Sequence, residues 1–418
     1  MFLSFTAAWA AQFLAIPQLA RLGLSAEECR VEEARLIGQI ERLRRSLSHL
    51  PLRDLPMLAR PGLAPYFQDW IAHPDADAYW QQVSLSAHHD RVTVPAFNLG
   101  GWYDLFVAGP PRNYTGVRTR GATEAARAGS RLLVGPWTHN NPSIAQVGEM
   151  NFGFGATLNV EDLQLRWFDY WLREIDNGMA EEPPVRIYVM GEGWRNEQEW
   201  PLARTQYTPF YIHSGGRAHS LDGDGKLSRD PPAAEPPDVF LYNPVHPVPT
   251  IGAAGIADQR AVERRTDVLI YTSPPLTEPL EVTGPVQVVL WASSSAVDTD
   301  FTAKLVDVAP SGYARNLCEG ILRAHYRNSS ARPELLEPGR PYELTIDLLV
   351  TSNLFQAGHQ IRLEISSSNF PRFDRNPNTG EPAGTACELR PAVQTVYHDG
   401  DHPTHILLPV IPRWEKDA

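Results

Sequence analysis

Gly100-Gly101-Trp102-Tyr103-Asp104 and Gly135-Pro136-Trp137-Thr138-His139 are the two stretches that decide how this chain reads. Each follows a short apolar run, Val92 to Leu99 in the first case and Arg131 to Val134 in the second. Runs of that length, closed by Gly and Pro, suit parallel strands covered on both faces. In open sheets of such strands, chemical groups collect in the crevice beyond the carboxyl ends. One strand here ends at an acid and the other at an imidazole.

A histidine can take up a proton and return it near neutral pH. A carboxylate on its second nitrogen fixes the tautomer and stabilises the imidazolium. Asp104 and His139 are therefore read as a catalytic acid and base. Where a triad runs Ser, Asp, His, the serine comes first, on a G-x-S-x-G turn. No such turn occurs. Gly23-Leu24-Ser25-Ala26-Glu27 lacks the second glycine, and Gly129-Ser130-Arg131 has the wrong spacing. Trp102, Tyr103, Phe106 and Trp137 flank the pair and are assigned to substrate binding as walls of an acyl pocket. Packing of the sheet end is the other reading of the same four rings.

Composition bounds the rest. A chain of 418 residues predicts two or three domains. A net charge of -12 excludes the basic face that nucleic acid requires, and argues equally against anionic membrane surfaces. Cys29, Cys318 and Cys387 are too far apart in sequence to suggest a metal cluster or a disulfide framework. No metal and no cofactor are expected, and the expected compartment is the cytoplasm. Phe2 to Ile16 is apolar, but its first basic neighbour is Arg21, so it reads as a buried helix and not as a secretory leader.

Residues 1–75 read as helical. Leu36, Ile40, Leu43, Leu47 and Leu50 share one face, and Ser25 with Glu28 forms a capping box. Aromatics in Pro65–Trp70 and Asp77–Trp80 read as core. Residues 76–203 alternate strand, loop and helix: Asp162–Arg173 is amphipathic through Leu165, Phe168, Trp171 and Leu172, and Val185–Met190 is a strand. His88 and His89 read as solvated. From 204 to 418, short β-branched and aromatic runs recur between Gly, Pro, Asp and Asn. They are Pro209–His213, Val239–Tyr242, Val268–Thr272, Val286–Ala292, Ala303–Val308, Tyr342–Leu348, Gln360–Ser366 and His405–Val410. This predicts a β-sandwich of jelly-roll type. His359 falls in a hairpin, and Asp298 and Asp300 read as turn residues. The loop Pro247–Gly252 is expected to reach the site. The fold class is thus α/β plus all-β.

The two opening stretches resemble the CocE/NonD hydrolases, the group of X-Pro dipeptidyl-peptidases, cocaine esterases and α-amino-acid ester hydrolases. The likeness continues through Pro184–Gly191, Ser293–Leu305 and Ser366–Asn376. The resemblance implies an α/β-hydrolase core with a helical cap and a C-terminal jelly roll. It makes Asp104 the triad acid and His139 the triad base. In that family the nucleophile sits on a G-x-S-Y-x-G elbow before the cap, with an oxyanion tyrosine earlier still. This sequence aligns from within the cap, so residues 1–75 are expected to be a cap remnant and the elbow to be missing.

The expected function is a serine hydrolase of small acyl esters, amides or short peptides, with the chain inactive and poorly soluble by itself. A homodimer through the jelly roll is a further expectation. The alternatives are a non-catalytic binding or dimerisation remnant, and one half of a split enzyme.

Overall fold

The computed structural model describes residues 3–139, 142, 144–252 and 255–412. Phe2, in the first expected helix, and residues 413–418, at the end of the expected sandwich, lie outside them.

Helices come first. Leu3–Trp9 runs on through a wider turn at Ala10–Ala15, burying Leu3, Ala7, Ala10, Ala11 and Ala15. Ala26–Glu41 starts at the expected capping box: Ser25 Oγ accepts from Glu28 N at 3.3 Å, and Ser25 N donates to Glu28 Oε2 at 2.8 Å. The helix stops at Arg42, and Leu43–Ser46 forms a separate turn. Leu36 and Leu47 are fully buried in a core that also takes in Phe67 of the Pro65–Ala72 helix and Phe370 from far along the chain. Among the described residues, no helix is long and apolar enough to cross a membrane.

A four-stranded sheet follows, built from β1 (Phe97–Gly101), β2 (Arg131–Gly135), β5 (Val185–Val189) and β6 (Gly193–Glu197) in the order β1-β2-β5-β6. The first three are parallel and β6 returns antiparallel. A small ladder joins β3 (Gln146–Val147) to β4 (Met150–Asn151). The expected strand from Val92 forms only from Phe97. Pro95 has no N–H for a ladder and Val94 is exposed, so the chain approaches the sheet irregularly. The Val160–Arg173 helix is capped by Asn159, whose side chain accepts from Asp162 N. Its Trp167 is buried, against Phe97, whereas Leu165, Phe168 and Leu172 face outward.

The remainder is nearly all strand. β7 (Gln206–His213), β8 (Lys226–Ser228), β9 (Asp238–Tyr242), β10 (Leu269–Thr272), β11 (Leu280–Ser294), β12 (Asp300–Val308), β13 (Ala314–Arg323), β14 (Tyr342–Phe355), β15 (Gln360–Ser366), β16 (Ala392–Tyr397) and β17 (His405–Ile411) make one eleven-stranded ladder. Its order is β13-β12-β15-β10-β8-β7-β17-β11-β16-β9, with β14 also on β11. β8, β13 and β16 were not expected from the sequence. β13 lies close against β14: a Cβ on Gly320 would come within 2.0 Å of Asp347 O. The two sheets are stitched together where Met190 N donates to Ser352 O (3.0 Å) and Leu354 N to Met190 O (2.8 Å).

Two expectations need correction. His89 is buried, not solvated. Its ring occupies the space that a Cβ at Gly116 would fill, and it bonds Arg120 Nη2 (2.7 Å) and Asn113 Oδ1 (3.1 Å). Asp298 and Asp300 are more than turn formers: Asp298 pairs with His325 (3.0 Å), Asp300 with Arg323 (2.9 Å), and Asn376 bridges the two. The Pro247–Gly252 loop pairs with residues 368–372, just beyond β15, through Val248 N to Ser368 Oγ and Thr250 N to Phe370 O.

Candidate active site

β1 and β2 run in register, with Gly101 opposite Gly135. The loops beyond them stay side by side because Trp102 N donates to Gly135 O (2.9 Å) and Tyr103 N to Trp137 O (3.0 Å). Such an approach requires glycine. A Cβ on Gly101 would lie 2.2 Å from Trp137 O, and one on Gly135 would lie 2.4 Å from the Trp137 ring. The two glycine-aromatic stretches are therefore one device that holds two loops in contact.

The device brings Asp104 and His139 together. His139 Nδ1 lies 3.1 Å from Asp104 Oδ2 and 3.2 Å from Oδ1. Asp104 Oδ1 also accepts from Phe106 N at 2.8 Å, which fixes the carboxylate. The Asp104 side chain is 10% exposed and that of His139 is 45% exposed, so the carboxylate is sheltered and the imidazole reaches solvent. With Nδ1 engaged, Nε2 is the nitrogen left for a reacting partner. Among the described residues, no serine is hydrogen-bonded to His139.

The four aromatics divide. Trp102 is buried and its indole donates to Tyr188 O (2.7 Å); Trp137 is buried and donates to Ala156 O (3.0 Å). Tyr103 donates to Asn316 O of β13 (3.1 Å), tying the loop to the large sheet, and burial pushes its phenol well above the ordinary range. These three side chains are committed to packing and to backbone carbonyls. Phe106 is exposed, and its ring stands edge-on to His139 at 5.0 Å. Phe5 meets Phe106 at 5.4 Å, and Trp9 and Phe13 continue the aromatic row along the first helix. The sequence reading missed Phe5; the signal available was the i, i+4 spacing of Phe5, Trp9 and Phe13.

A small cavity behind Asp104 is lined by Gly255, Asn316, Cys318, Glu319 and Arg372. Burial pushes the Cys318 thiol well above its ordinary value, which keeps it protonated and a poor nucleophile. Among the described residues, no three His, Cys, Asp or Glu side chains are grouped to hold a metal ion.

Comparison with known proteins follows the same lines. Residues 177–407 match the X-Pro dipeptidyl-peptidase C-terminal non-catalytic domain, and residues 9–141 match the X-Pro dipeptidyl-peptidase (S15 family). The chain is 43% identical over 378 residues to the cocaine esterase of Rhodococcus sp. (strain MB1 Bresler), covering 87% of this chain and 64% of that one. Among solved structures, an α-amino acid ester hydrolase superposes with a TM-score of 0.75 at 28% identity, over 87% of this chain and 63% of that chain. An aminopeptidase from a marine sediment Thaumarchaeota archaeon superposes with a TM-score of 0.73 at 28% identity, over 83% and 60%. The chain thus spans less than two thirds of the length of these relatives. They are α/β-hydrolase proteins that carry a large β-sheet domain after the core.

Proposed function

The chain belongs to the CocE/NonD family of hydrolases, and from that premise we propose that it carries the acid and base of a serine hydrolase acting on acyl esters or amides. One observation carries the reading: the Asp104 carboxylate sits on His139 Nδ1 at the carboxyl ends of adjacent parallel strands, with the imidazole reaching solvent. In the reaction, a serine Oγ attacks the acyl carbon and its proton passes to His139 Nε2. Asp104 stabilises the imidazolium. The proton then goes to the departing alcohol or amine, and a water molecule repeats the sequence on the acyl-enzyme.

The serine has to be delivered to Nε2. Among the described residues β1 has a parallel neighbour on one side only, and its other edge suits a family-type elbow segment seated there. Phe106 and Phe5 form the wall that faces an acyl group, and Trp102, Tyr103 and Trp137 hold the loops beneath. Esters come before peptides as substrates because the 43%-identical relative is an esterase. The proposal extends to architecture. Residues 1–75 are a cap remnant, 76–203 the later part of an α/β-hydrolase core, and 204–418 a jelly roll. The helical core around Leu36 and the ladder that runs from β2 through β5 to β6 support those limits.

The test is turnover of an activated acyl ester. The chain alone is expected to show no more than its His139→Ala variant. Fused behind a family segment bearing G-x-S-Y-x-G, it is expected to turn over and to lose on the order of 10³-fold or more with His139→Ala. Turnover by the chain alone above the His139→Ala background would place the nucleophile inside it and overturn the proposal. So would a fused protein indifferent to His139.

A further inference from the structure

A second histidine–carboxylate pair lies away from Asp104 and His139, in the groove between the two sheets. His359 Nδ1 is 2.7 Å from Asp307 Oδ1, and both residues line a cavity of about 450 Å³. That volume is in the range of small-molecule sites. The cavity is preformed. One wall comes from β4, β5 and the turn after β5, and the other from β12, β13 and the β14–β15 hairpin. The backbone bonds from Met190 N to Ser352 O and from Leu354 N to Met190 O hold the two walls together. Gly191, at φ +91°, lets the turn approach β14, since a Cβ there would lie 3.1 Å from Leu354 O.

Gln356 lines the space with an amide that both donates and accepts, and most of the other polar atoms left facing it are acceptors. Arg315 spends Nη2 on Asp307 Oδ2 (2.7 Å) and Asn353 Oδ1 (2.6 Å), and turns Nη1 to Met150 Sδ (3.3 Å). The Tyr313 hydroxyl, pushed up to about 12 by burial and by Glu149, donates to Glu149 Oε2 at 3.1 Å and leaves its lone pairs free. The Tyr188 hydroxyl points to Phe152 O at 3.5 Å. With Nδ1 on Asp307, His359 offers Nε2 as an acceptor. Glu192 adds a half-exposed carboxylate at the rim, 3.8 Å from Arg195. The rings of Phe152 and Tyr188, 6.0 Å apart and edge to face, and that of Tyr313 supply π surface. Lone pairs, a net negative lining and aromatic faces together select a cationic donor over an anion.

We propose that this cavity is a binding site for a small organic ammonium ion, held by His359 Nε2 and Glu192 with its apolar body on Phe152, Tyr188 and Tyr313. The site is separate from Asp104–His139 and does not rest on the hydrolytic reading.

The probe is 2-phenylethylammonium, titrated calorimetrically into the full 418-residue chain. Saturable binding is expected, unchanged in His139→Ala and weakened about tenfold or more in both Glu192→Gln and His359→Ala. Benzoate, with the same ring and the opposite charge, is expected not to bind. Removing His359 strips a partner from buried Asp307, so a melting curve accompanies that variant. Glu192→Gln, at the rim, decides the matter independently of folding. Unchanged affinity in Glu192→Gln, loss of binding in His139→Ala, or benzoate binding as tightly as the amine would each overturn the proposal.

Discussion

Gly101→Ala should separate the two loops that make the site, and the size of the effect follows from the geometry. The new Cβ would stand 2.2 Å from Trp137 O and 2.7 Å from Trp137 C, both backbone atoms that no rotamer change can move. Relief requires the β1 and β2 loops to part by about 1 Å. That stretches the Trp102 N–Gly135 O and Tyr103 N–Trp137 O hydrogen bonds, now 2.9 and 3.0 Å, beyond useful length. Two backbone hydrogen bonds at about 1 kcal/mol each, plus overpacking strain of about 1–3 kcal/mol, give a loss of about 3–5 kcal/mol. Gly38→Ala is the control. Its Cβ would meet only the far end of the Arg42 side chain, at 3.8 Å, and it lies inside the Ala26–Glu41 helix, where alanine is neutral or stabilising by up to about 1 kcal/mol. Urea denaturation followed by tryptophan fluorescence measures both. A Gly101→Ala chain within about 0.5 kcal/mol of the parent, or indistinguishable from Gly38→Ala, would refute the claim that glycine is required by the loop contact.

Two further outcomes are expected. His398 is buried with Asp238 on Nε2 (3.0 Å) and Glu235 on Nδ1 (3.2 Å); burial alone would lower its pKa, but the two carboxylates outweigh it and hold the pKa above the ordinary value. The stability it contributes is therefore complete below about pH 6.5 and lost as pH rises through the higher folded value, and His398→Gln should flatten that limb of a stability–pH curve; an unchanged limb would count against the carboxylate cradle. Iodoacetamide at mildly alkaline pH should modify exposed Cys387 well before Cys318, whose thiol is buried and held protonated, as followed by peptide mass spectrometry; equal rates would contradict the protonated, sheltered thiol beside Asp104.

Features that depend on local chemistry were legible in the sequence, and features that depend on long-range contact were not. The Ser25–Glu28 capping box needs four residues and was readable as such. The strand Arg131–Gly135 and the strands at Val239–Tyr242 and Gln360–Ser366 announce themselves by apolar or alternating runs. β13 was missed because it carries Arg315, Asn316, Glu319 and Arg323 along a strand that reads as polar loop. The three charges are tolerable because the fold supplies a partner for each: Asp307 for Arg315, Arg372 for Glu319, and Asp300 for Arg323. His89 was misjudged for the same reason, since the partners that make its burial tolerable stand 24 and 31 positions away.

The site shows the same division within a few residues. The pairing of Asp104 with His139 could be anticipated because each ends a strand, and the strands' parallel register sets the distance between their ends. The sorting of the flanking aromatics could not, because it turns on where each ring finds a carbonyl or a neighbour. Trp102 and Trp137 are drawn inward by Tyr188 O and Ala156 O, and Tyr103 by Asn316 O on the large sheet. Phe106 has no polar atom to satisfy, and its own N–H is already given to Asp104 Oδ1. It is left as the ring beside the imidazole, and the helix carrying Phe5 packs against it from the chain's far side. The large sheet therefore bears on the Asp104–His139 pair from a distance: through Tyr103 and Asn316 it anchors the loop that holds Asp104. A change at Asn316 that moves the β13 backbone should be felt at the His139–Asp104 distance before it is felt anywhere else in the small sheet.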